Sequence, residues 1–307
     1  MSELGKPTVS VVIPTYNRAS LLGRSIRSVL EQTYDDLELI VVDDASSDNT
    51  AEVVLHFGDK RIRYVRRDRN NGPAAARNTG IIASTGKFVA FNDSDDEWFP
   101  DKLERQMKVF DIVPPQVGVV YCDSWNDSNG KKELYRAPHI MPEDGMIFRR
   151  LLTSLDSGMG LQTAVVRREC FEKAGMLDET LHTFEDGEFF IRVSKHYCLY
   201  HMSVPLVNRW RTPGSLVSNH EFLARGLKII LTKYWEDIRV DSRLKSWYFM
   251  KLGWETHLTG HQRTACEYFA RGLIASPSES SVFLLYYLRY LMRYLSGEQK
   301  SNVSPSE

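Results

Sequence analysis

The sequence is short of cysteine: four in 307 residues, Cys122, Cys170, Cys198 and Cys266, with no two close together. No C-x-x-C pair and no zinc-type spacing occurs, which excludes a disulfide scaffold and a structural zinc site. Reduced thiols in a cytoplasmic protein are the economical expectation. Charge of one sign is missing too. Lys and Arg total 39 against 40 Asp and Glu, a formal net charge of -1. That balance offers no bulk attraction to nucleic acid, so any anion must be held by local groups. There is no G-x-x-x-x-G-K and no G-x-G-x-x-G after the first strand, which argues against a nucleoside triphosphatase or an NAD enzyme. No uncharged apolar run reaches the ~20 residues of a membrane span. The stretch Met1 to Lys6 lacks the apolar core of a signal peptide. The expected compartment is the cytoplasm, with peripheral contact at the inner face of the membrane left open.

What is present is an ordinary globular composition, 42% hydrophobic and 26% charged. Runs of β-branched and apolar residues mark buried strands at Thr8–Ile13 and Phe88–Phe91, and further strands are read at Leu37–Val42 and Arg61–Val65. Pro14, without an amide proton, is expected to stop the first. Helical spacing separates the strands: Leu22, Ile26, Val29 and Leu30 on one face, a short helix ending near Gly58, and a third helix opened by Pro73. Strand and helix in alternation predict an α/β fold around a parallel sheet.

Two of these strands run straight into acid. Val41-Val42 leads to Asp43-Asp44, and Phe88-Val89-Ala90-Phe91 leads to Asn92-Asp93-Ser94-Asp95-Asp96. In a parallel sheet both clusters open on one rim, beyond the carboxyl ends of the strands, where such sheets bind ligands. Carboxylates gathered there need a cation, a basic partner or open water. Hard divalent ions take oxygen ligands, and Mg²⁺ or Mn²⁺ uses one or two carboxylates with substrate phosphates. A solvated acidic turn capping the next helix is the alternative for an isolated D-x-D. Asp96 and Glu97 are expected to serve the N-terminus of that helix, with Pro100 in its first turn.

Four segments, in order and spacing, resemble the family 2 glycosyltransferases of the GT-A fold: Val9 to Arg18, Val41 to Asp48, Asn71-Gly72 with Ala76-Arg77-Asn78, and Asn92 to Asp96. The resemblance covers roughly residues 7 to 215. It implies a Rossmann-like mixed sheet flanked by helices and an inverting transfer of a sugar from a nucleotide-sugar, a UDP-sugar first, to a saccharide or glycolipid hydroxyl. Pro14, Thr15 and Tyr16 would lie beside the nucleobase and ribose, and Asp44 would accept from the base. Asp44 would serve equally as a turn aspartate. Arg77 would orient the site, touch phosphate, or pair with the acidic rim. Asp93, Ser94 and Asp95 match the D-x-D, with Asp95 on Mn²⁺ or Mg²⁺ and Asp93 on ribose or metal. The cation would stabilise the diphosphate leaving group.

Farther on, Phe184-Glu185-Asp186-Gly187 matches the family's E-D motif. Inversion needs a base for the acceptor hydroxyl, and Asp186 is the candidate, with Glu185 its neighbour. A helix N-terminus is expected to keep Asp186 ionised. Both acids would also cap a helix. Short strands are expected over Leu199–Val207, then a basic, aromatic loop from Asn208 in which Trp210 and Arg211 either clamp the donor or pack and pair structurally. His182, His196, His201 and His220 lack metal spacing.

The catalytic domain is expected over residues 7–219 and a helical region over 220–297. Its helices are predicted at Phe222–Ile238, Arg243–Thr259, Arg263–Ala275 and Ser281–Leu295, followed by a disordered tail, 298–307. Gly253, Gly260, Ala265 and Gly272 give the middle pair the look of a degenerate tetratricopeptide unit. Two rival readings accompany the glycosyltransferase: transfer to a polyprenyl phosphate, and a non-catalytic nucleotide-sugar-binding or scaffold protein.

Overall fold

The computed structural model describes residues 5–128, 130–137, 147–153, 155, 159–210 and 219–280. The chain divides into two compact units, Met1–Pro213 and Gly214–Glu307.

The first unit opens with β1 (Val9–Thr15), α1 (Ala19–Leu30), β2 (Leu37–Asp43), α2 (Thr50–His56), β3 (Ile62–Arg66), α3 (Pro73–Ala83) and β4 (Phe88–Phe91). It continues with β5 (Glu97–Trp98), α4 (Lys102–Ile112), β6 (Val117–Ser128), β7 (Lys131–Tyr135) and α5 (Ile147–Thr153). A single 3-10 turn at Leu161–Thr163 precedes β8 (Ala164–Arg167), α6 (Arg168–Ala174), α7 (Glu185–Val193) and β9 (Cys198–Trp210). The strands form one sheet in the order β3-β2-β1-β4-β8-β6-β9-β5, with β7 paired to β6. The first four are parallel. β8 runs against both β4 and β6, and β9 runs along β6. β1, β2, β4, β6 and β9 therefore all deliver their carboxyl ends to one rim.

Val9, Val11, Val12 and Ile13 have no exposed surface, because helices cover both faces of β1. This is why the strand reads as a continuous apolar run rather than an alternating one. α3 lies unusually close to the sheet. A Cβ on Gly80 would stand 2.3 Å from Val12 Cγ1, nearer than atoms can approach. Small residues, Ala74 to Ala76, fill the rest of that face and are buried. The close approach carries Arg77 into the interior, 5% exposed.

Pro14 does not stop the first strand. β1 runs through it to Thr15, with Pro14 opposite Val42. In a parallel ladder alternate residues face alternate neighbours. Val12 accepts from Asn92 on the β4 side, so Pro14 faces that side as well. β4 has ended at Phe91, and the missing N–H strands no partner. Leu199–Val207 is likewise not a set of short strands. It belongs to one 13-residue strand that includes Asn208, Arg209 and Trp210. Register shifts between Val117 and Ser124 let it follow β6. β6 itself continues past Tyr121 as the first arm of a hairpin with β7. The polar residues of this extension are accommodated by specific bonds: Asp123 Oδ1 accepts from Ala137 N–H at 2.9 Å and lies 2.7 Å from His201 Nε2.

The second unit is helical: α8 (His220–Lys233), α9 (Trp235–Arg239), α10 (Ser242–Leu258) and α11 (Gln262–Ala275). The helix predicted over Phe222–Ile238 is two, broken at Tyr234, whose N–H still bonds back to Ile230 while its backbone leaves the helical region. α10 and α11 touch at their glycines. A Cβ on Gly253 would meet the Phe269 ring at 2.6 Å, and one on Gly272 would meet Met250 Sδ at 2.7 Å. The helix predicted at Ser281–Leu295 and the tail 298–307 lie outside the described residues.

Candidate active site

The rim holds both acidic clusters, and they are built differently. At the end of β2, Asp43 is fully buried and each oxygen is committed. Oδ1 accepts from Ser46 N–H at 2.7 Å, and Oδ2 accepts from Tyr64 Oη at 2.5 Å and Arg66 Nη1 at 3.0 Å. Asp44 Oδ2 accepts from the N–H groups of Asn71 and Gly72, at 3.1 and 2.8 Å, and Oδ1 from Arg67 Nη1 at 2.5 Å. Asp44 is thus a turn aspartate, as one sequence alternative held. Oδ1 keeps one acceptor direction beyond Arg67, since a carboxylate oxygen takes two bonds. Beside it, Tyr16 is 45% exposed and Thr15 buries a hydroxyl that has no partner among the described residues. Pro14 sits one residue deeper in β1.

Residues Asp93 to Asp96 form a tight turn, closed by Asp96 N–H to Asp93 O at 3.1 Å. α1 grips it from outside. Ser25 Oγ donates to Asp93 O at 2.9 Å and Arg24 Nη2 to Asp95 O at 2.6 Å. Ser94 is buried within the turn. The side chains of Asp93 and Asp95 retain exposure, 29% and 20%. Asp96 does not serve the next helix. α4 starts at Lys102, too far along, and Glu97 is taken into β5. Asp96 Oδ1 instead accepts from Trp210 N–H at 3.1 Å. Burial and the Asp93 carboxylate push the Asp96 pKa well up, and Arg209 pulls it back.

Arg77 joins the D-x-D to the E-D motif. Its Nη2 lies 2.8 Å from Asp93 Oδ1 and its Nη1 2.7 Å from Glu185 Oε1 and 3.6 Å from Asp186 Oδ1. Burial opposes its charge, but Asp186, Asp93 and Glu185 together outweigh that and raise its pKa. The next residue, Asn78, imitates a strand. It exchanges bonds of 3.0 Å with the backbone N–H and C=O of Leu177, and so anchors the loop ahead of α7. Arg192, on α7, donates to the carbonyls of Gly175 and Met176 and to Glu188, a structural clamp on the same loop.

Asp186 Oδ2 accepts from Leu161 N–H at 2.9 Å. Oδ1 is buried without a hydrogen bond among the described residues. Burial raises the pKa of both acids, of Glu185 to about 7 with Asp186 as the second cause, while Arg77 opposes the rise at Asp186. The helix terminus therefore does not keep Asp186 at an ordinary carboxylate pKa. A helix end contributes about 0.3–1 kcal/mol, under one pKa unit, whereas desolvation shifts buried acids by up to ~3–5 units.

Three residues other than glycine adopt left-handed backbone among the described residues: Asn17, Ala45 and Phe184. Each adjoins a site residue, Tyr16, Asp44 and Glu185. Such conformations cost about 1–3 kcal/mol and collect at functional sites. Residue type gave no warning at Ala45 or Phe184. The basic partners Arg67, Arg24 and Arg209 were also missed. For Arg67 a signal existed: the pair Arg66-Arg67 closes β3 at the same rim as Asp43-Asp44. Trp210 packs under the Arg24 guanidinium, 4.2 Å from its ring centre, at the end of a strand rather than in a loop. Arg211 lies outside the described residues.

Among the described residues no three His, Cys, Asp or Glu side chains are grouped to hold a metal unaided. The donor set suits the way Mg²⁺ or Mn²⁺ is usually held, by one or two exposed carboxylates and substrate phosphates. Asp95 and Asp93 fit that requirement.

Residues 10–175 match the family described as Glycosyl transferase family 2. The chain belongs to that family. The Escherichia coli protein named UDP-Glc:alpha-D-GlcNAc-diphosphoundecaprenol beta-1,3-glucosyltransferase WfgD is 48% identical over 101 residues, 33% of this chain and 40% of that protein. Alignments with other curated glycosyltransferases span from 14% to 61% of the relative's length, under two thirds in each case compared. Among solved structures, S. aureus TarS 1-349 in complex with UDP-GlcNAc superposes with a TM-score of 0.64 at 19% identity, over 92% of this chain and 87% of that one. The mannosyltransferase PcManGT from Pyrobaculum calidifontis, in complex with GDP-Man and Mn2+, gives 0.59 at 20% identity, over 94% and 81%. These likenesses carry the fold: the mixed sheet with flanking helices is the GT-A architecture, with a helical C-terminal region.

Proposed function

We propose that this family 2 glycosyltransferase transfers a sugar, with inversion, from a nucleotide-sugar to a hydroxyl of a saccharide or glycolipid. The observation that carries the reading is the Arg77 bridge, which sets the unbonded Oδ1 of Asp186 one guanidinium away from Asp93. A donor anchored at the D-x-D and an acceptor hydroxyl at Asp186 would then meet across that bridge.

Asp186 takes the hydroxyl proton as the acceptor oxygen bonds to the anomeric carbon. The bond from that carbon to phosphate breaks, and its electron pair leaves with the nucleoside diphosphate. A base works best with a pKa near the working pH, so the upward shift at Asp186 suits the role. The Leu161 N–H and Arg77 fix its position, with Glu185 held beside it on the same guanidinium. Asp44, Thr15 and Tyr16 receive the base and ribose, beside Pro14. Asp95, with Asp93 and next to Ser94, would hold Mn²⁺ or Mg²⁺, whose charge stabilises the departing diphosphate when bound. The UDP-linked donor is favoured by the partners that WfgD and TarS carry in their descriptions. The lipid-linked acceptor in WfgD's name supports a glycolipid acceptor and work at the membrane face. Among the described residues no helix is long and apolar enough to cross a membrane.

A thermal-shift panel tests the reading: UDP, GDP, dTDP and CMP, each with Mn²⁺, Mg²⁺ or chelator. A ligand that binds only the folded state raises the melting temperature by mass action. Stabilisation by one nucleoside diphosphate that vanishes with chelator is expected. No shift with any of them would favour the scaffold reading.

A further inference from the structure

Lys102, the first residue of α4, is wholly buried, and sugar transfer makes no direct use of it. Its ammonium has two neighbours. Nζ donates to Gln106 Oε1 at 2.8 Å, and it stands 3.8 Å from the centre of the Trp98 ring. No carboxylate of the described residues balances the charge; burial pulls the pKa down to about 8, and only the Cys122 thiol opposes that. A core built for stability alone would favour an apolar side chain of this length, since replacing a buried charge by well-packed apolar atoms is often neutral or stabilising.

What the ammonium does is orient an amide. It can only donate, so the oxygen of the Gln106 amide must face it, and both Nε2 hydrogens turn the other way. They reach two backbone carbonyls, Val120 O and Thr163 O, each at 2.9 Å. Thr163 O also accepts from Cys122 Sγ at 3.4 Å, and Gln162 O accepts from Trp98 Nε1 at 3.1 Å. Gln162 and Thr163 close the single 3-10 turn, and the last carbonyls of a helical turn have no partner within it. Donors from β5, α4 and β6 therefore hold the carbonyl end of that turn. Its other end presents the Leu161 N–H, which donates to Asp186 Oδ2 at 2.9 Å. All three residues of the turn are buried. Carbonyls that lost these donors would be left without partners, so the turn would shift to find others.

We infer that Lys102 and Gln106 are positioning residues for the base, acting through the turn Leu161–Thr163. The inference rests on Asp186 being that base. Neither side chain touches the reacting atoms. Lys102 orients Gln106, Gln106 holds the end of the turn, and the turn holds Oδ2 of Asp186, which leaves Oδ1 for the proton. A misplacement of about 1 Å at a reacting group costs up to about 10²-fold in rate, so a clamp two residues removed from the base is felt in turnover.

The test uses the full chain with Mn²⁺ and needs no known acceptor. UDP-glucose and UDP-N-acetylglucosamine are offered with water as the nucleophile: the water oxygen bonds to the anomeric carbon, UDP leaves, and Asp186 takes the proton. Wild type, Lys102→Met, Lys102→Gln and Trp98→Phe are compared for hydrolysis, UDP affinity, melting temperature and amide exchange of the peptide that holds Leu161. Lys102→Met removes the charge at similar volume, so it should melt within a few degrees of wild type. Its kcat should fall by about tenfold or more, its Leu161 amide should exchange about tenfold faster, and its UDP affinity should hold within about twofold. Lys102→Gln still offers Gln106 a donor and should recover part of both losses. Trp98→Phe keeps a ring over Lys102 but frees Gln162 O, so it too should quicken exchange at Leu161; it carries the test if Lys102→Met does not fold. Unchanged hydrolysis and exchange in Lys102→Met would overturn the inference. So would a parallel loss of melting temperature, UDP affinity and activity, which marks a folding role alone. Hydrolysis by Asp186→Asn at the wild-type rate would remove the base, and the inference with it. Wild type that neither binds UDP nor hydrolyses either donor would sink the glycosyltransferase reading instead, and the exchange comparison, run without ligand, would still decide whether Lys102 holds the turn.

Discussion

The acidic end of β2 and the acidic end of β4 are made of the same residue type on the same rim, yet their charges are settled in opposite ways. Asp43 and Asp44 are met by backbone N–H groups and by Arg66 and Arg67, so their negative charge is balanced within the fold. Asp93, Glu185 and Asp186 share a single buried guanidinium. Two of those acids are driven upward in pKa, first by burial and then by the neighbouring carboxylates that one guanidinium cannot fully offset. A balanced cluster shapes a pocket. An unbalanced one holds chemistry in reserve, ready for a cation on one side and a proton on the other.

The widest separation between the two clusters should appear in turnover. Asp186→Asn keeps an acceptor for Leu161 N–H but removes the base, and kcat should fall by about 10²–10⁴-fold. UDP affinity should hold within twofold. Full activity in this variant would end the proposed mechanism.

Stability comes next. Arg77→Met strands three carboxylates and should cost about 3–5 kcal/mol in urea unfolding. Arg67→Ala, at the balanced end, removes a more exposed partner from an acid that keeps two backbone bonds, and should cost about 1 kcal/mol. Equal losses would break the comparison.

Asp95→Ala sharpens it at the metal. UDP binding measured calorimetrically with Mn²⁺ should weaken on the order of tenfold, and binding in chelator should not change. Asp95 still faces solvent in part, so the variant should fold normally.

The smallest effect is on pH dependence. Glu185 has a folded pKa of about 7, above the unfolded value of about 4.3. The folded state therefore binds more protons between those values. Its contribution to stability is full below about pH 4.3 and is lost as pH rises through 7. The ligand-free protein should melt lower at pH 8 than at pH 5, by a few degrees. Glu185→Gln should flatten that slope. A slope unchanged in the variant would put the titration elsewhere.

Much of this arrangement could be read along the chain. Apolar runs of Val, Ile and Phe announced the buried strands, and each run's abrupt end in Asp announced the rim. The four-motif order singles out Asp93 and Asp95, and the later E-D match adds Asp186. The misreadings share a cause. Pro14 was judged by its own missing N–H, when what mattered was that β4 had already ended beside it. Asp96 was assigned to the helix that follows it, when its partner is Trp210, 114 residues on. The end of β9 reads as loop because Asn208, Arg209 and Trp210 are polar and bulky, although β6 pairs with all three and β5 with Asn208.

Local pattern alone determined that this chain makes an α/β sheet whose first four strands are parallel, that acids stand at two of its strand ends, and that a helical region follows. Those depend on side-chain period and on the chemistry of neighbours in sequence, which a linear reading contains. Tertiary structure decided how each acid is satisfied. Whether a carboxylate meets Arg67, shares Arg77 or feels Arg209 depends on residues tens of positions away. Burial then sets whether that meeting leaves an ordinary ion pair or a base with a raised pKa, and burial exists only once helices and sheet have closed around the site.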